Sequence, residues 1–330
     1  LAQEYICSRD GGVHLLPGLA AGAMADMSED PGSGLLDSFS DRLATPQEQA
    51  LLQKLRSELA QELQKAPKFT ELVGDIRLLR TLRAHDHDIA KAAEGFREHL
   101  EFRSRYGLNE VRRRIMERWS GRLLHIPQTE LPSGNVTYAY FRVVCPFCLT
   151  PRGDIVCVYP LHRWRSQEFI GTVSGWENEC IDHYMYHMEW RALLLDQLSR
   201  ERGRLAHLIN VHDLDDFRIS TYIGTRFANF GQASLLPLSL SYHDFSSRTW
   251  CINTTSWFTI PFRIIQGALP EKILRKIRFE GDDYKSKPDM RESLGEEAMA
   301  MFPISEALLH EPQQAPAAPR EDLVEQAIRQ

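Results

Sequence analysis

Leu205–His212 (LAHLINVH) is the stretch that decides the fold class of this 330-residue chain. Its apolar and β-branched side chains, running up to Asp213, predict a buried strand. Asp154–Tyr159 (DIVCVY) predicts a second strand, and the long periodic stretch Glu177–Leu198 between the two predicts a helix. Strands that alternate with helices in this way predict an α/β architecture.

Further elements are predicted on both sides of these three. They are strands at Asn135–Val144 and Thr249–Thr254, and helices at Ile219–Phe230, Trp257–Gln266 and Pro270–Ile277. Turn residues at Thr150–Gly153 separate the first strand from the second.

A helical unit is predicted ahead of these strands. Thr45 can cap a helix whose first turn contains Pro46 and Glu48, which together form the pattern of a capping box. Asp88 is placed to cap a later helix, and Gly107 to end it.

Composition and periodicity divide the chain into four parts. They are a disordered segment (1–44), the helical unit (45–125), an α/β lobe (126–303) and a flexible acidic tail (304–330). Residues 1–45 carry a net charge of −5 and residues 280–330 carry −7, which leaves +6 for the body between them. A basic body favours an anionic partner.

The overall composition excludes several classes of protein. With 43% hydrophobic and 25% charged residues, the chain is neither collagen-like, nor a coiled coil, nor fully disordered. Six cysteines without a dense framework favour a reducing compartment. The longest apolar runs, Leu15–Ala25 and Trp257–Leu269, are broken by Pro and Gly and are shorter than the roughly 20 residues of a membrane span. No span is predicted.

An N-terminal signature and four later motifs, taken in order, resemble those of a known family. The N-terminal signature is carried by Leu78–Ala84 (LLRTLRA) and Phe102–Gly107 (FRSRYG), and the later motifs lie at Gly153–Pro160, His207–Ile219, Cys251–Phe262 and Leu274–Tyr284. Over about residues 46–303 the chain is similar to the CRAL-TRIO lipid-binding family. The resemblance implies a mixed sheet that floors an apolar pocket, with a gate helix covering it.

Trp257–Gln266 is the predicted gate helix. It is apolar on all sides, so it either packs as a buried core helix or turns one side to lipid. The resemblance favours a gate, with Gly267 as its hinge. The residues predicted to line the pocket are Leu208, Asn210, Ile252, Phe258, Phe262 and Ile265.

The resemblance also implies a site for a lipid headgroup. Asp244 and Lys276 match an acidic and a basic position that contact the inositol phosphate region in phosphatidylinositol-binding members, and His85 takes another basic position. Other positions of that signature differ, as do Leu208 and Asn210 at the choline-binding positions. The alternatives are a solvated helix-end cation for Lys276 and a turn residue for Asp244.

Three other clusters have residue types and spacings that are typical of functional sites. Cys145–Cys148 (CPFC) has the spacing of a thiol oxidoreductase, but a turn and a strand follow it instead of a helix. Glu179, His183 and His187 share a helix face at metal-ligand spacing, and packing against the helical unit is the alternative. Arg112–Arg114 could meet an anionic surface or form a solvated helix face.

The sequence therefore predicts a non-enzymatic protein that binds one lipid or other hydrophobic ligand and exchanges it between membranes. No cofactor and no metal are expected, and the expected partners are a phospholipid or hydrophobic small molecule and, transiently, a membrane surface. We expect a cytoplasmic, peripherally membrane-associated monomer without affinity for nucleic acid. One alternative is a ligand sensor or scaffold without transfer activity; a weaker one is a thiol oxidoreductase using Cys145 and Cys148.

Overall fold

The computed structural model describes residues 43–126, 128–217, 225–235, 241–242, 244–255 and 271–303. The predicted disordered segment, the acidic tail, and the gate helix with Gly267 lie outside the described residues, except for residues 43 and 44. In the described part, helices precede and surround a five-stranded mixed sheet, which confirms the predicted α/β class.

Six helices build the N-terminal unit. They are α1 (Pro46–Glu58), α2 (Ala60–Lys65), α3 (Thr70–Val73), α4 (Asp75–Ala84), α5 (Ile89–Arg105) and α6 (Leu108–Trp119). The capping box forms as predicted: the Glu48 amide donates to Thr45 Oγ1 at 3.2 Å, and Thr45 N donates to Glu48 Oε2 at 2.9 Å. The side chain of Asp88 caps α5 by accepting from the Lys91 amide.

The sheet has the strand order β1-β2-β3-β4-β5. The strands are β1 (Val144–Leu149), β2 (Ile155–Pro160), β3 (Leu208–Asp213), β4 (Ser246–Ile252) and β5 (Ile277–Phe279). β1 pairs antiparallel with β2, and the other pairs are parallel. Crossover segments join the parallel strands, and the crossover from β2 to β3 contains the long helix Trp176–Arg202.

The remaining helices lie in the lobe. They are α7 (Gly134–Thr137), α8 (Ser166–Thr172), α9 (Trp176–Arg202), α10 (Arg226–Phe230), α11 (Glu271–Leu274), α12 (Pro288–Leu294) and α13 (Glu296–Ala300). Short 3₁₀ turns and one π-helical turn (Gly231–Leu235) complete the described elements.

The predicted strand at Asn135–Val144 is wrong. Its first residues form α7, and only Val144 belongs to β1, which runs on through Cys145–Cys148. The aromatic side chains of Tyr140 and Phe141 contact the ring of Phe169 and form part of a separate hydrophobic cluster. Tertiary packing of these rings therefore overrides the strand propensity of the run.

Both faces of the sheet are covered by helices. On one face Ile155, Cys157 and Leu208 join the hydrophobic cluster around α6 and α9, and we call this the α9 face. On the opposite face Val156 and Ile209 belong to the cluster that α12 and α13 complete, and we call this the α12 face. Neighbouring residues of a strand therefore serve two separate cores.

The long helix α9 joins the helical unit to the sheet. Arg103 of α5 donates Nη1 and Nη2 to the two carboxylate oxygens of Glu189 on α9, at 2.7 and 2.9 Å, and both side chains are buried. Arg80 of α4 reaches the lobe as well, donating to the carbonyl oxygen of Asp244 at 2.8 Å. These buried contacts hold the helical unit and the lobe in one arrangement.

Candidate functional site

The predicted headgroup residues Asp244 and Lys276 lie beside the amino ends of the parallel strands. Asp244 precedes β4 and Lys276 directly precedes β5, so the parallel arrangement brings two distant residues to the same sheet edge. Lys276 Nζ lies 3.1 Å from Asp244 Oδ1 and donates to the Ser246 carbonyl at 2.7 Å.

Asp244 is deeply embedded in this edge. Its side chain is 4% exposed, and its second carboxylate oxygen lies 3.6 Å from His207 Nε2. Burial raises the pKa of Asp244, but the charge of Lys276 and the neighbouring His207 outweigh that effect and hold the pKa well below its ordinary value. The carboxylate is therefore charged and already engaged by the protein.

Lys276 also lines a small open cleft on the α12 side of this edge. Its volume of about 60 Å³ has room for a few waters or one small anion but not for an acyl chain. Its lining includes five cationic side chains against two carboxylates, namely Arg152, Arg204, Arg248, Arg275, Lys276, Asp154 and Glu292. We call it the basic cleft.

Most of the cations in the basic cleft have carboxylate neighbours of their own. Arg204 Nη2 lies 2.8 Å from Asp154 Oδ1, and Arg275 pairs with Glu271 within α11 and the turn after it. Lys276 itself faces Asp244, and its side chain is 17% exposed. The cleft can attract an anion, but an incoming group must compete with carboxylates that the protein supplies.

His85 does not share the lining of the basic cleft. It caps the C-terminal end of α4, beside Lys272, whose Nζ donates to Asp86 Oδ1 at 2.7 Å. Partial burial, and secondly the charge of Lys272, lower the pKa of His85. The three predicted headgroup residues are therefore distributed over one close pair and a separate helix end.

The predicted pocket-lining residues divide between two faces of the sheet. Leu208 and Asn210 lie on the α9 face, where Asn210 accepts from the Tyr159 hydroxyl at 3.4 Å. Ile252 lies on the α12 face, inside the cluster that α12 and α13 cover. Because strand residues alternate between faces, Ile252 does not line the same surface as the other two. Phe258, Phe262 and Ile265 lie outside the described residues.

A polar stripe on the α9 face did not emerge from the sequence. His183, His187 and Arg191 follow each other at four-residue spacing along one face of α9, and Arg191 Nη2 donates to the Tyr159 hydroxyl of β2 at 2.7 Å. The ring of Tyr159 stacks on His212 of β3, with centroids 4.6 Å apart. The four-residue spacing of His183 and His187 is the signal in the sequence for this stripe. Extending the same spacing by one helical turn leads to Arg191.

Burial keeps the histidines of this stripe neutral. It lowers the pKa of His187 well below its ordinary value, and the positive charge of Arg191 lowers it further. The pKa of His212 is also well below its ordinary value, mainly through burial. At neutral pH Arg191 is therefore the only charged side chain among these four residues and Tyr159.

The C-x-x-C motif lies in the sheet. Cys145 forms a disulfide with Cys157 on the neighbouring strand, not with Cys148, so the C-x-x-C pair is not the bonded pair. Both cysteines of the motif lie within β1, and neither belongs to the first turn of a helix.

The histidine and arginine clusters pack within the described part of the protein. Within the described ranges, no group of three or more His, Cys, Asp or Glu side chains could hold a metal ion. The three arginines of the Arg112–Arg114 cluster pair with glutamates, Arg112 with Glu71 and the other two with Glu110. Among the helices that the structure describes, none combines the length and apolar character that crossing a membrane requires.

Comparison with known proteins places the fold. No family model matches the sequence, and no curated protein matches it either. Among solved structures, the crystal structure of Sfh5 matches with a TM-score of 0.50 and 13% sequence identity, over 73% of this chain and 82% of that chain. Sfh5 is a CRAL-TRIO protein of the Sec14 family. The likeness concerns the fold, and it agrees with the fold that the sequence motifs imply.

Proposed function

We propose that the protein binds one lipid or another hydrophobic molecule in a pocket on the α9 face of the sheet and exchanges it between membranes. The family motifs, which follow one another in the expected order between residues 46 and 303, support this proposal, as does the fold shared with a Sec14-family protein. Segment 256–270, with its dense apolar side chains, would supply the cover.

The observation that carries the proposal is the polar character of the α9 face near the carboxyl ends of the strands. A sheet face that only packs against a helix is lined by apolar side chains. Here Asn210, His212 and Thr249 are buried among them, and in the described part of the chain Thr249 Oγ1 has no hydrogen-bond partner. Buried polar side chains, one of them a hydroxyl with spare capacity, fit a face that meets the polar group of a ligand.

Energetics make exchange feasible for such a pocket. Each buried methylene gains about 0.8 kcal/mol relative to water, in a protein pocket much as in a bilayer. Moving a lipid from one to the other is therefore close to neutral in its apolar part. Polar contacts at the headgroup then decide which lipid is taken, and ligand release does not have to overcome the whole hydrophobic term.

The first experiment is native mass spectrometry of the purified full chain, followed by transfer of radiolabelled lipid between donor and acceptor vesicles. We expect one co-purified hydrophobic molecule per chain and protein-dependent transfer. Tight one-to-one retention without transfer would favour the sensor or scaffold. A chain that carries no hydrophobic molecule, and accepts none from vesicles, would contradict the proposal.

The thiol alternative has its own test. Replacing Cys145 and Cys148 together by serine should leave lipid binding in place, and the wild-type protein should show no disulfide reductase activity. Reductase activity that disappears in the double variant would favour the oxidoreductase over the lipid-binding protein.

A further inference from the structure

Arg191 is a buried cation without a carboxylate partner among the described residues. The residue is 3% exposed, and its hydrogen bond goes to the neutral hydroxyl of Tyr159. Its Nε has no hydrogen-bond partner in the described part of the chain. The same hydroxyl also lies 3.4 Å from Asn210 Oδ1, so Arg191 is held within a neutral network.

Two other buried arginines show what compensation looks like in this protein. Arg103 makes a bidentate ion pair with Glu189. Arg80 donates to the backbone carbonyls of Asp244 and Ala206, and the nearby charge of Asp244 opposes, without outweighing, the lowering of its pKa by burial. Buried charges are ordinarily paired, because removing them from water is costly. Arg191 departs from that rule within the same molecule.

The internal segments outside the described residues cannot supply the missing carboxylate. Segments 218–224, 236–240 and 256–270 contain no aspartate and no glutamate, and neither do Pro127 and His243. An acidic partner from this chain would have to come from before residue 43 or after residue 303. The alternative is that a bound anion, and not a residue of the chain, supplies the negative charge next to Arg191.

The groups around Arg191 favour an anion over a second cation. His187 lies one turn earlier on the same helix face, and its buried Nε2 has no hydrogen-bond partner in the described part of the chain. Farther along the same sheet face, Thr249 pairs with Asn210 in the sheet register, and its hydroxyl has no hydrogen-bond partner in the described part of the chain. One guanidinium with neutral donors beside it is suited to the oxygens of a carboxylate or phosphate.

We infer that Arg191 binds the anionic group of the pocket ligand, which is therefore an amphipathic molecule with a carboxylate or phosphate buried against α9. This inference rests on the proposed function, because it assigns the polar end of the ligand in the same pocket. Electrostatic complementarity inside the pocket, not at the basic cleft, then selects anionic over neutral molecules of the same shape.

The test measures binding of three single-chain probes to the full-length, delipidated protein: oleic acid, oleoyl lysophosphatidic acid and methyl oleate. All three carry the same acyl chain, and the first two differ in the source of the anion. We expect at least one of the acids to bind about tenfold or more tightly than methyl oleate, because a hydrogen-bonded ion pair in the interior is lost in the ester. The probe with the larger advantage identifies the anionic group.

Arg191→Gln tests the assignment to this residue. The variant should lose the preference for the acid and retain the affinity for methyl oleate. Arg200→Gln is the matched control on the same helix, since Arg200 lies at the surface and pairs with Asp196. It should keep the preference.

The outcomes separate the inference from the proposed function. Equal affinity of the wild-type protein for the acids and the ester would overturn the inference and leave the proposed function standing. Binding of none of the probes, together with no co-purified ligand, would overturn both. Loss of methyl oleate binding in a folded Arg191→Gln protein would assign Arg191 a structural role. If that variant does not fold, the three-probe comparison on the wild type still decides.

Discussion

The basic cleft and the interior around Arg191 are two positively charged regions on opposite faces of one sheet. In the cleft, Lys276 faces Asp244 and Arg204 faces Asp154, so the protein supplies the counter-charges itself. In the interior, Arg191 meets a tyrosine hydroxyl. A match to a family pattern therefore indicates which residues could contact a ligand. A buried charge without a counter-charge indicates where binding of an oppositely charged ligand would stabilise the protein.

The two regions also differ in their surroundings. The cleft is open to solvent, so water and salt weaken any attraction for an anion there. The Arg191 side chain is buried, where the effective dielectric constant is lower and an ion pair is screened less. Affinity for a ligand anion should therefore depend more on the interior, and first encounter with an anionic surface more on the cleft.

The largest expected loss of stability comes from breaking the buried ion pair between Arg103 and Glu189. Glu189→Gln leaves the buried guanidinium of Arg103 without its carboxylate, and we expect a loss of about 3–5 kcal/mol in the free energy of unfolding. Urea denaturation followed by circular dichroism measures it. A loss below about 1 kcal/mol would mean that this interior tolerates unpaired cations, and Arg191 would then be unexceptional.

Replacing Asp244 by asparagine tests how much the buried carboxylate that faces Lys276 contributes to stability. The pKa of Asp244 is depressed in the folded state, so its carboxylate stabilises the fold above the ordinary pKa, and that contribution is lost as pH falls. We expect Asp244→Asn to cost about 1–3 kcal/mol at pH 7, with the difference from wild type shrinking below about pH 4.

Asp283→Asn is the control for that measurement. Asp283 is exposed and pairs with Lys287 on the surface, so its replacement should change the free energy of unfolding by less than about 0.5 kcal/mol at either pH. A deficit of Asp244→Asn that stays constant down to pH 3 would contradict the role of the ionised carboxylate.

These contrasts also show what the sequence could and could not predict. Local chemistry was enough for the capping box at Thr45 and Glu48 and for the strands β2 and β3, because neighbouring residues determine both. The resemblance brought Asp244 and Lys276 to one site, and they lie 3.1 Å apart. Whether they contact a headgroup stays a prediction.

The errors and omissions have a different cause, which is long-range packing. The run Asn135–Val144 has strand propensity, but its aromatic rings pack against α8 and α10 instead. The isolation of Arg191 depends on the absence of acids from several separate segments, and its one hydrogen-bond partner among the described residues is 32 positions away. No local pattern contains that information.

Removing the unpaired charge of Arg191 should not lower the free energy of unfolding, in contrast to Glu189→Gln. Arg191→Met keeps an unbranched apolar chain and abolishes the buried charge, so the unliganded protein should gain up to about 1 kcal/mol in the free energy of unfolding, or stay unchanged. Arg103→Met, which strands the Glu189 carboxylate, should lose about 3–5 kcal/mol in the same assay. A comparable loss in both variants would show that Arg191 is stabilised by a partner within the chain.

The smallest effect is expected at the basic cleft. Lys276→Ala should leave the fold intact and weaken binding to vesicles that contain phosphatidylinositol by less than about tenfold, because a partly exposed cation that already faces Asp244 contributes at most about 1 kcal/mol to a new ion pair. Lys285→Ala, at an exposed position of the 3₁₀ turn before α12, is the matched control for loss of one positive charge. Vesicle co-sedimentation at low and high salt separates the electrostatic contribution of Lys276 from the other contributions to vesicle binding. An effect of Lys276 at the surface must diminish as salt rises. Unchanged binding of every anionic lipid in Lys276→Ala would remove the cleft from the headgroup site and leave the interior as the place where ligand charge is recognised.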